Sequence, residues 1–202
     1  MIKYIVFALV LGGIVGYLNN DFGSSLATVL VRDYLFNGAL AALLFVMGLV
    51  FGLDRDAIGK MRRMGLKILV VPFAVASGSI AGAVVIALIL KINVVATASL
   101  SAGFGWYTLA GPLAGQLLGV KWGAFAFTTN FFREMLTILT VPLAVRLDKY
   151  VPVAFGGATS MDTTLPVIVK YGGSEMLIMA FSSGFILSLI APITIIGIAS
   201  LV

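Results

Sequence analysis

Apolar positions run along this chain in blocks of membrane length, separated by short polar turns. A transmembrane helix needs about 20 mostly apolar residues to cross the hydrocarbon core. Residues 2–18, 35–53, 68–90, 122–147 and 176–202 form five such blocks. Two further blocks, 94–120 and 152–169, are apolar but interrupted, the first by "GFGWYTLAGP" and the second by "GGATSMDTTLPVI". Glycine and proline at this density break helices, and broken backbone at membrane depth is tolerated only where protein buries it or where it lines a wet cavity. The pattern predicts an all-α integral membrane protein with about seven hydrophobic segments, two of them broken or re-entrant. The two broken segments mark the functional centre, and residues 1–202 read as one membrane transport domain.

Composition agrees with the pattern. The chain is 61% hydrophobic and 10% charged, with a mean hydropathy of +1.15, outside the range of water-soluble domains. Without cysteine or histidine, disulfides, thiolate or imidazole metal centres and His-based triads are excluded. No metal site and no cofactor are expected. A net charge of +5 in a soluble protein would suggest nucleic acid. Here most basic residues sit in loops between apolar runs, so membrane orientation explains them and no nucleic-acid partner is expected. The linker "DRDAIGKMRRMGLK" carries Arg55, Lys60, Arg62, Arg63 and Lys67, which places it on the cytoplasmic side. Seven spans then put the N-terminus inside and the C-terminus outside, with Lys3, Lys121 and Lys170 joining the cytoplasmic set and Arg32, Lys91, Arg146 and Lys149 outside. The N-terminal run reads as a first span, because no small-x-small cleavage site and polar mature region follow it.

Charge inside the membrane is concentrated in two places. In block 122–147, Asn130, Arg133, Glu134 and Thr137 recur at i, i+3, i+4 and i+7, making one polar stripe on an apolar helix. An ionised side chain at the bilayer centre costs about 2.5–3.5 kcal/mol on insertion scales, so the stripe must face protein or water. Adjacent helical residues point about 100° apart, so Arg133 and Glu134 cannot pair well with each other. Asp162, in the second broken segment, is the remaining acid at depth and the expected partner of Arg133, with Glu134 left over. If all three ionise, one negative charge is uncompensated, which suits a cation or a proton. Burial and a nearby guanidinium act in opposite senses on a carboxyl group, so one of the two acids is expected to exchange protons near neutral pH. The bland reading is a structural network that glues helices together.

The broken segments add candidate ligands. Around Trp106 and Tyr107, Gly103, Gly105, Gly111 and Pro112 expose backbone groups, and the aromatic faces can hold an ammonium by cation–π attraction. Interfacial aromatics and glycines for close packing are the alternative. Around Asp162, the hydroxyls of Thr159, Ser160, Thr163 and Thr164 can cap a half-helix or ligate a substrate. Two broken helices meeting at mid-membrane fit the pattern of secondary transporters. An inorganic-cation exchanger or channel is the alternative, although a channel favours rings of acids or carbonyls. An intramembrane aspartyl protease needs two carboxylates built to share a proton, and the Met-Asp-Thr setting is not of that kind, so no enzyme is expected.

"SAGFGWYTLAGPL", "NFFRE", "GGATSMDTTLPV" and "GFILSLIAPI" resemble, in this order and at similar spacing, motifs of the lysine exporter (LysO) family of bacteria and archaea. The resemblance covers essentially the whole chain. It implies export of L-lysine and its toxic analogues across the cytoplasmic membrane, by exchange with protons. It makes Asp162 the candidate essential acid, with Asn130, Arg133 and Glu134 at the matching positions of the polar helix. Single-chain members carry about three more N-terminal helices, whose beginning looks like a repeat of "VFALVLGGIVGYL" and "AALLFVMGLVFGL". That implies an inverted-repeat transporter and a small three-helix membrane partner, or self-association in its place. Ala110 departs from the family, where serine is common.

Overall fold

A computed structural model describes residues 67–201 continuously and, before them, only scattered positions between 7 and 59. The first two predicted spans, 2–18 and 35–53, fall largely outside the described residues. The chain divides into two compact units, Met1–Asp54 and Arg55–Val202. At its described positions the first unit is helical. The second unit contains both interrupted blocks.

Among the described residues of the second unit every regular element is helical. Helix α1 spans Lys67–Leu90, α2 Val94–Ser101, α3 Tyr107–Leu118, α4 Val120–Ala144, α5 Val151–Gly156, α6 Leu165–Gly172 and α7 Met176–Ala199. A short 3-10 turn, Gly157–Met161, follows α5. Leu69–Leu90 and Met176–Ala199 are long and apolar enough to cross a membrane. At 1.5 Å per residue, α4 with its 25 residues reaches about 37 Å.

The predicted interruptions fall where the helices stop. Block 94–120 becomes α2 and α3, joined by residues 102–106, and block 152–169 becomes α5, the 3-10 turn and α6. The first break is narrower than the "GFGWYTLAGP" string, because Gly111 and Pro112 lie inside α3. Gly111 serves packing instead. A β-carbon there would come within 2.9 Å of the Phe127 β-carbon, and one on Gly123 would come within 2.6 Å of the Gly115 α-carbon. Small residues at these positions let α3 and α4 lie close along their lengths.

Helix α7 is central. Half of its apolar window is buried, against 17% of the window in α1. Its residues Met176, Met179 and Ala180 form one core with Val141 of α4, Val153 of α5 and Ile168 of α6. It also grips both breaks. Ser160 Oγ donates to Ala180 O at 2.8 Å, Ser99 Oγ donates to Ile195 O at 3.0 Å, and Gly184 presses against Met161 N and Ala158 O. Many large side chains on α1 and α4 remain exposed, including Val70, Phe73, Phe132, Leu136 and Leu139, as expected of helices whose solvent is lipid.

Candidate functional site

The two breaks meet. Phe104 (φ 51°) and Gly105 (φ 102°) carry the chain out of α2 through left-handed conformations, and Gly157 (φ 61°) does the same after α5. Ala158 N then donates to Phe104 O at 2.8 Å, so one broken segment hydrogen-bonds the other. Only glycine fits at position 157. A β-carbon there would strike the Phe104 carbonyl oxygen and crowd the Arg133 guanidinium at 3.1–3.2 Å, besides the cost of its backbone conformation.

The polar stripe of α4 pins this joint from the side. Asn130, 2% exposed, accepts from Gly105 N at 2.7 Å and donates to Leu100 O at 2.9 Å and Ala126 O at 2.8 Å. One amide therefore ties the end of α2 to the turn that follows it. Arg133 serves the second break. Its Nε donates to Phe155 O at 2.9 Å, its Nη2 to Ala154 O at 2.9 Å and its Nη1 to Ser79 Oγ of α1 at 2.9 Å.

The expected ion pair between Arg133 and Asp162 is therefore not what forms. The guanidinium spends its three nitrogens on the last carbonyls of α5 and on α1. Helix C-terminal carbonyls carry partial negative charge and satisfy a cation without a carboxylate. The angular offset between neighbouring helical residues that kept Arg133 and Glu134 apart also turns them toward different neighbours.

Glu134 faces the acid side of the joint. It is 8% exposed, near the Thr163 side chain and within electrostatic reach of Asp162. Asp162 Oδ1 accepts from Thr163 N at 2.6 Å and lies 3.3 Å from Thr163 Oγ1. Tyr107, at the start of α3, is within electrostatic reach of both acids. Two carboxyl groups thus lie within electrostatic reach of each other, while the Arg133 guanidinium is bonded elsewhere. Glu134 Oε2 is buried and has no hydrogen-bond partner. Leaving a buried charged acceptor unpaired costs more than the 1–3 kcal/mol typical of a neutral group, at order of magnitude, so this oxygen is set to receive a proton or a cation.

The other predicted residues are divided by the structure. Thr159 Oγ1 donates to Gly156 O at 2.9 Å, Ser160 Oγ lies at 2.7 Å from Gly157 O and 2.8 Å from Ala180 O, and Thr164 Oγ1 donates to Thr159 O at 3.0 Å. The hydroxyls of Thr159 and Thr164 thus donate within the break, and that of Ser160 sits between the break and α7. Thr163 is exposed and faces the acids. Tyr107 packs edge-on against Phe127 and Phe131, with ring centroids 5.3 and 5.5 Å away. Trp106 is half-buried at the N-terminus of α3. Gly103 lies against Asn130, where a β-carbon would come within 3.0 Å of the amide.

Ser79 was not singled out from sequence. Its signal was its place in the small-residue run "ASGSIAGA", in the middle of an otherwise apolar helix. An open groove of about 1110 Å3 lies on the far side of Arg133, with Val71, Ala74, Phe132, Leu136 and Phe155 among its walls. Neither acid lines it, and such apolar walls do not suit a charged solute. Among the described residues no group of three or more acids, cysteines or histidines could hold a metal.

A sequence profile of the family described as "Lysine exporter LysO" matches residues 6–199, nearly the whole chain. The chain belongs to the lysine exporter (LysO) family. The lysine exporter LysO of Escherichia coli is 37% identical over 127 residues, 63% of this chain and 42% of its own length. A putative lysine exporter of Haemophilus influenzae is 32% identical over 122 residues, 60% of this chain and 63% of its own length. The chain thus spans less than two thirds of either relative. No solved structure matches it. Membership of this family makes the chain a membrane protein, consistent with α1 and α7, and its relatives are named as transporters rather than enzymes.

Proposed function

We propose that this LysO-family chain exports L-lysine and lysine analogues across the prokaryotic cytoplasmic membrane by antiport with protons, with Glu134 and Asp162 as the groups that alternate between proton and substrate ammonium. One observation carries the reading. Glu134 has a buried, unpartnered carboxylate oxygen beside a second acid, and Arg133, the nearest cation in sequence, is turned to α5 and α1. Two like charges close together, one of them buried, repel, and a proton or an ammonium relieves the repulsion. Lysine is a monocation with such a group. The exposed Thr163 and Asp162 form the approach to the buried acid, and Tyr107 offers its ring beside it. Asn130 and Arg133 hold the broken segments in place around the site.

In this reading the chain works with a further membrane element of about three helices, from a small separate protein or from a second copy, completing an inverted-repeat transporter. The Escherichia coli relative, of which the match covers 42% against 63% of this chain, is the longer protein and supports that expectation. The basic loop at 55–67 lies in the cytoplasm, with the N-terminus inside and the C-terminus outside.

The test is efflux of labelled lysine from cells lacking their own exporter, expressing the chain together with any short hydrophobic protein encoded beside it. Expression should raise efflux, and Glu134→Gln or Asp162→Asn should remove the gain. Equal efflux in both variants and the wild type would refute the site. Sodium or potassium flux without lysine flux would favour the inorganic-cation alternative.

A further inference from the structure

The groove beside Arg133 opens about 1110 Å3 between α1, α4 and α5, and its walls fix its direction. Val71 of α1 packs against the core that holds Val141 of α4. Ser79, about two turns further along α1, meets Arg133, about two turns back along α4. The two walls therefore run antiparallel. Arg133 lies near the middle of α4, so the groove extends from mid-helix toward the end of α4 and the start of α5. Along α4 it is lined from Thr129 to Thr140, about 16 Å at 1.5 Å per residue. One leaflet of a ~30 Å hydrocarbon core is about 15 Å deep. A spanning helix would need a trough about twice as long, whereas an acyl chain of one leaflet matches this one.

The outer end of the groove carries cations. Tyr150 is exposed and lines the groove, and Lys149 Nζ stands 5.7 Å from the centre of its ring. Arg146 is exposed in the same turn between α4 and α5. The acid of that turn, Asp148, accepts from Tyr150 N at 2.8 Å, which fixes the tyrosine at the rim. Tyrosine and lysine at the end of an apolar trough lie where headgroups lie, and a nearby cation favours an anionic one. At the inner end the Arg133 nitrogens donate to Phe155 O, Ala154 O and Ser79 Oγ. Hydrocarbon lying against those bonds keeps water from competing for them.

We propose that this groove binds a phospholipid with an anionic headgroup, one acyl chain filling the trough from Tyr150 to Arg133 and the phosphate resting against Lys149 and Arg146. The site is separate from the acid pair, since neither Glu134 nor Asp162 lines the groove. Bound there, the lipid braces α1 against α5 on the side of Arg133 that faces away from the acids.

The test reads lipid, not transport. The full chain is reconstituted in bilayers of equal phosphatidylethanolamine and phosphatidylglycerol and extracted in mild detergent, and its retained lipids are counted by native mass spectrometry. Wild type should retain phosphatidylglycerol in preference to phosphatidylethanolamine. Lys149→Gln should lower that preference about fivefold, the scale for one cation beside the headgroups. Gly78→Leu puts a side chain into the trough, where nothing lies within 4 Å of an added β-carbon, and should abolish retention. Gly82 is equally free of close neighbours but lies outside the walls of the groove, so Gly82→Leu should retain lipid as wild type does. A photo-reactive residue at Ala74, which lines the trough, should label lipid in native membranes. Equal retention of the two lipids by wild type, unchanged preference in Lys149→Gln, or equal retention by Gly78→Leu and Gly82→Leu overturns the proposal. Protein in place of lipid on the Ala74 probe overturns it too, because a helix then occupies the trough.

Discussion

Replacing Gly157 by alanine tests whether the meeting of the two breaks organises the site, and Gly119 supplies the matched control. Both residues have positive φ, 61° at Gly157 and 96° at Gly119. Alanine at either position strains the backbone by about 1–3 kcal/mol. At Gly119 that is the whole penalty, because nothing lies within 4 Å of an added β-carbon. At Gly157 the β-carbon meets the Phe104 carbonyl oxygen and the Arg133 guanidinium, two groups held in place by Ala158 N and by α5. Overpacking of that kind costs about 1–3 kcal/mol, and displacing Phe104 O from Ala158 N loses a further hydrogen bond of about 1 kcal/mol. Gly157→Ala should therefore destabilise the protein by about 2–4 kcal/mol more than Gly119→Ala. Detergent-induced unfolding, followed by circular dichroism or tryptophan fluorescence, measures both variants against wild type. Equal losses in the two would refute the close approach of the breaks.

The same contacts set other expectations. Asn130→Leu leaves Gly105 N without its partner and removes the side-chain donor to Leu100 O. Hydrogen bonds inside membranes measure about 0.6–1.7 kcal/mol, so unfolding assays should show a loss of about 1–3 kcal/mol. Arg133→Lys keeps the charge but presents one compact ammonium to acceptors on two helices. It should lower stability by about 1–3 kcal/mol while leaving the affinity for lysine, read from competition efflux, unchanged. A large affinity change would place Arg133 in the substrate site instead. Gly123→Ala, whose β-carbon would approach the Gly115 α-carbon and Gly111 O, should part α3 from α4 and cost about 1–3 kcal/mol in the same unfolding assay.

Much of this arrangement was legible in the order of residues. Helix lengths followed from the apolar runs, because in a membrane the backbone has no alternative to helix over a continuous apolar stretch. The stripe Asn130, Arg133, Glu134, Thr137 was legible from its spacing, and all four side chains find polar partners or face the joint. Partner choice was not legible. Counting charges suggested that an arginine and an aspartate at the same depth would pair, yet backbone carbonyls at a helix end compete for a guanidinium. Sequence does not reveal which carbonyls a break leaves free. The glycines divide for the same reason. Gly105 is needed for backbone conformation, Gly111 and Gly123 for close approach and Gly157 for both, and only the partner surface distinguishes the uses. The hydroxyls around Asp162 look alike in sequence. Burial separates Thr163, which faces the acids, from Thr159, Ser160 and Thr164, which close the break.

Exchange of a proton for a lysine ammonium at the acid pair is tested most directly by measuring lysine and protons simultaneously in vesicles reconstituted with the chain and any partner it requires. The vesicles are loaded with labelled lysine and a pH-sensitive dye, and the outside is made acidic. Lysine release and internal acidification should rise together, and both should disappear in Glu134→Gln. Lysine release with no accompanying proton entry, or coupled release that survives Glu134→Gln, would contradict exchange at this pair.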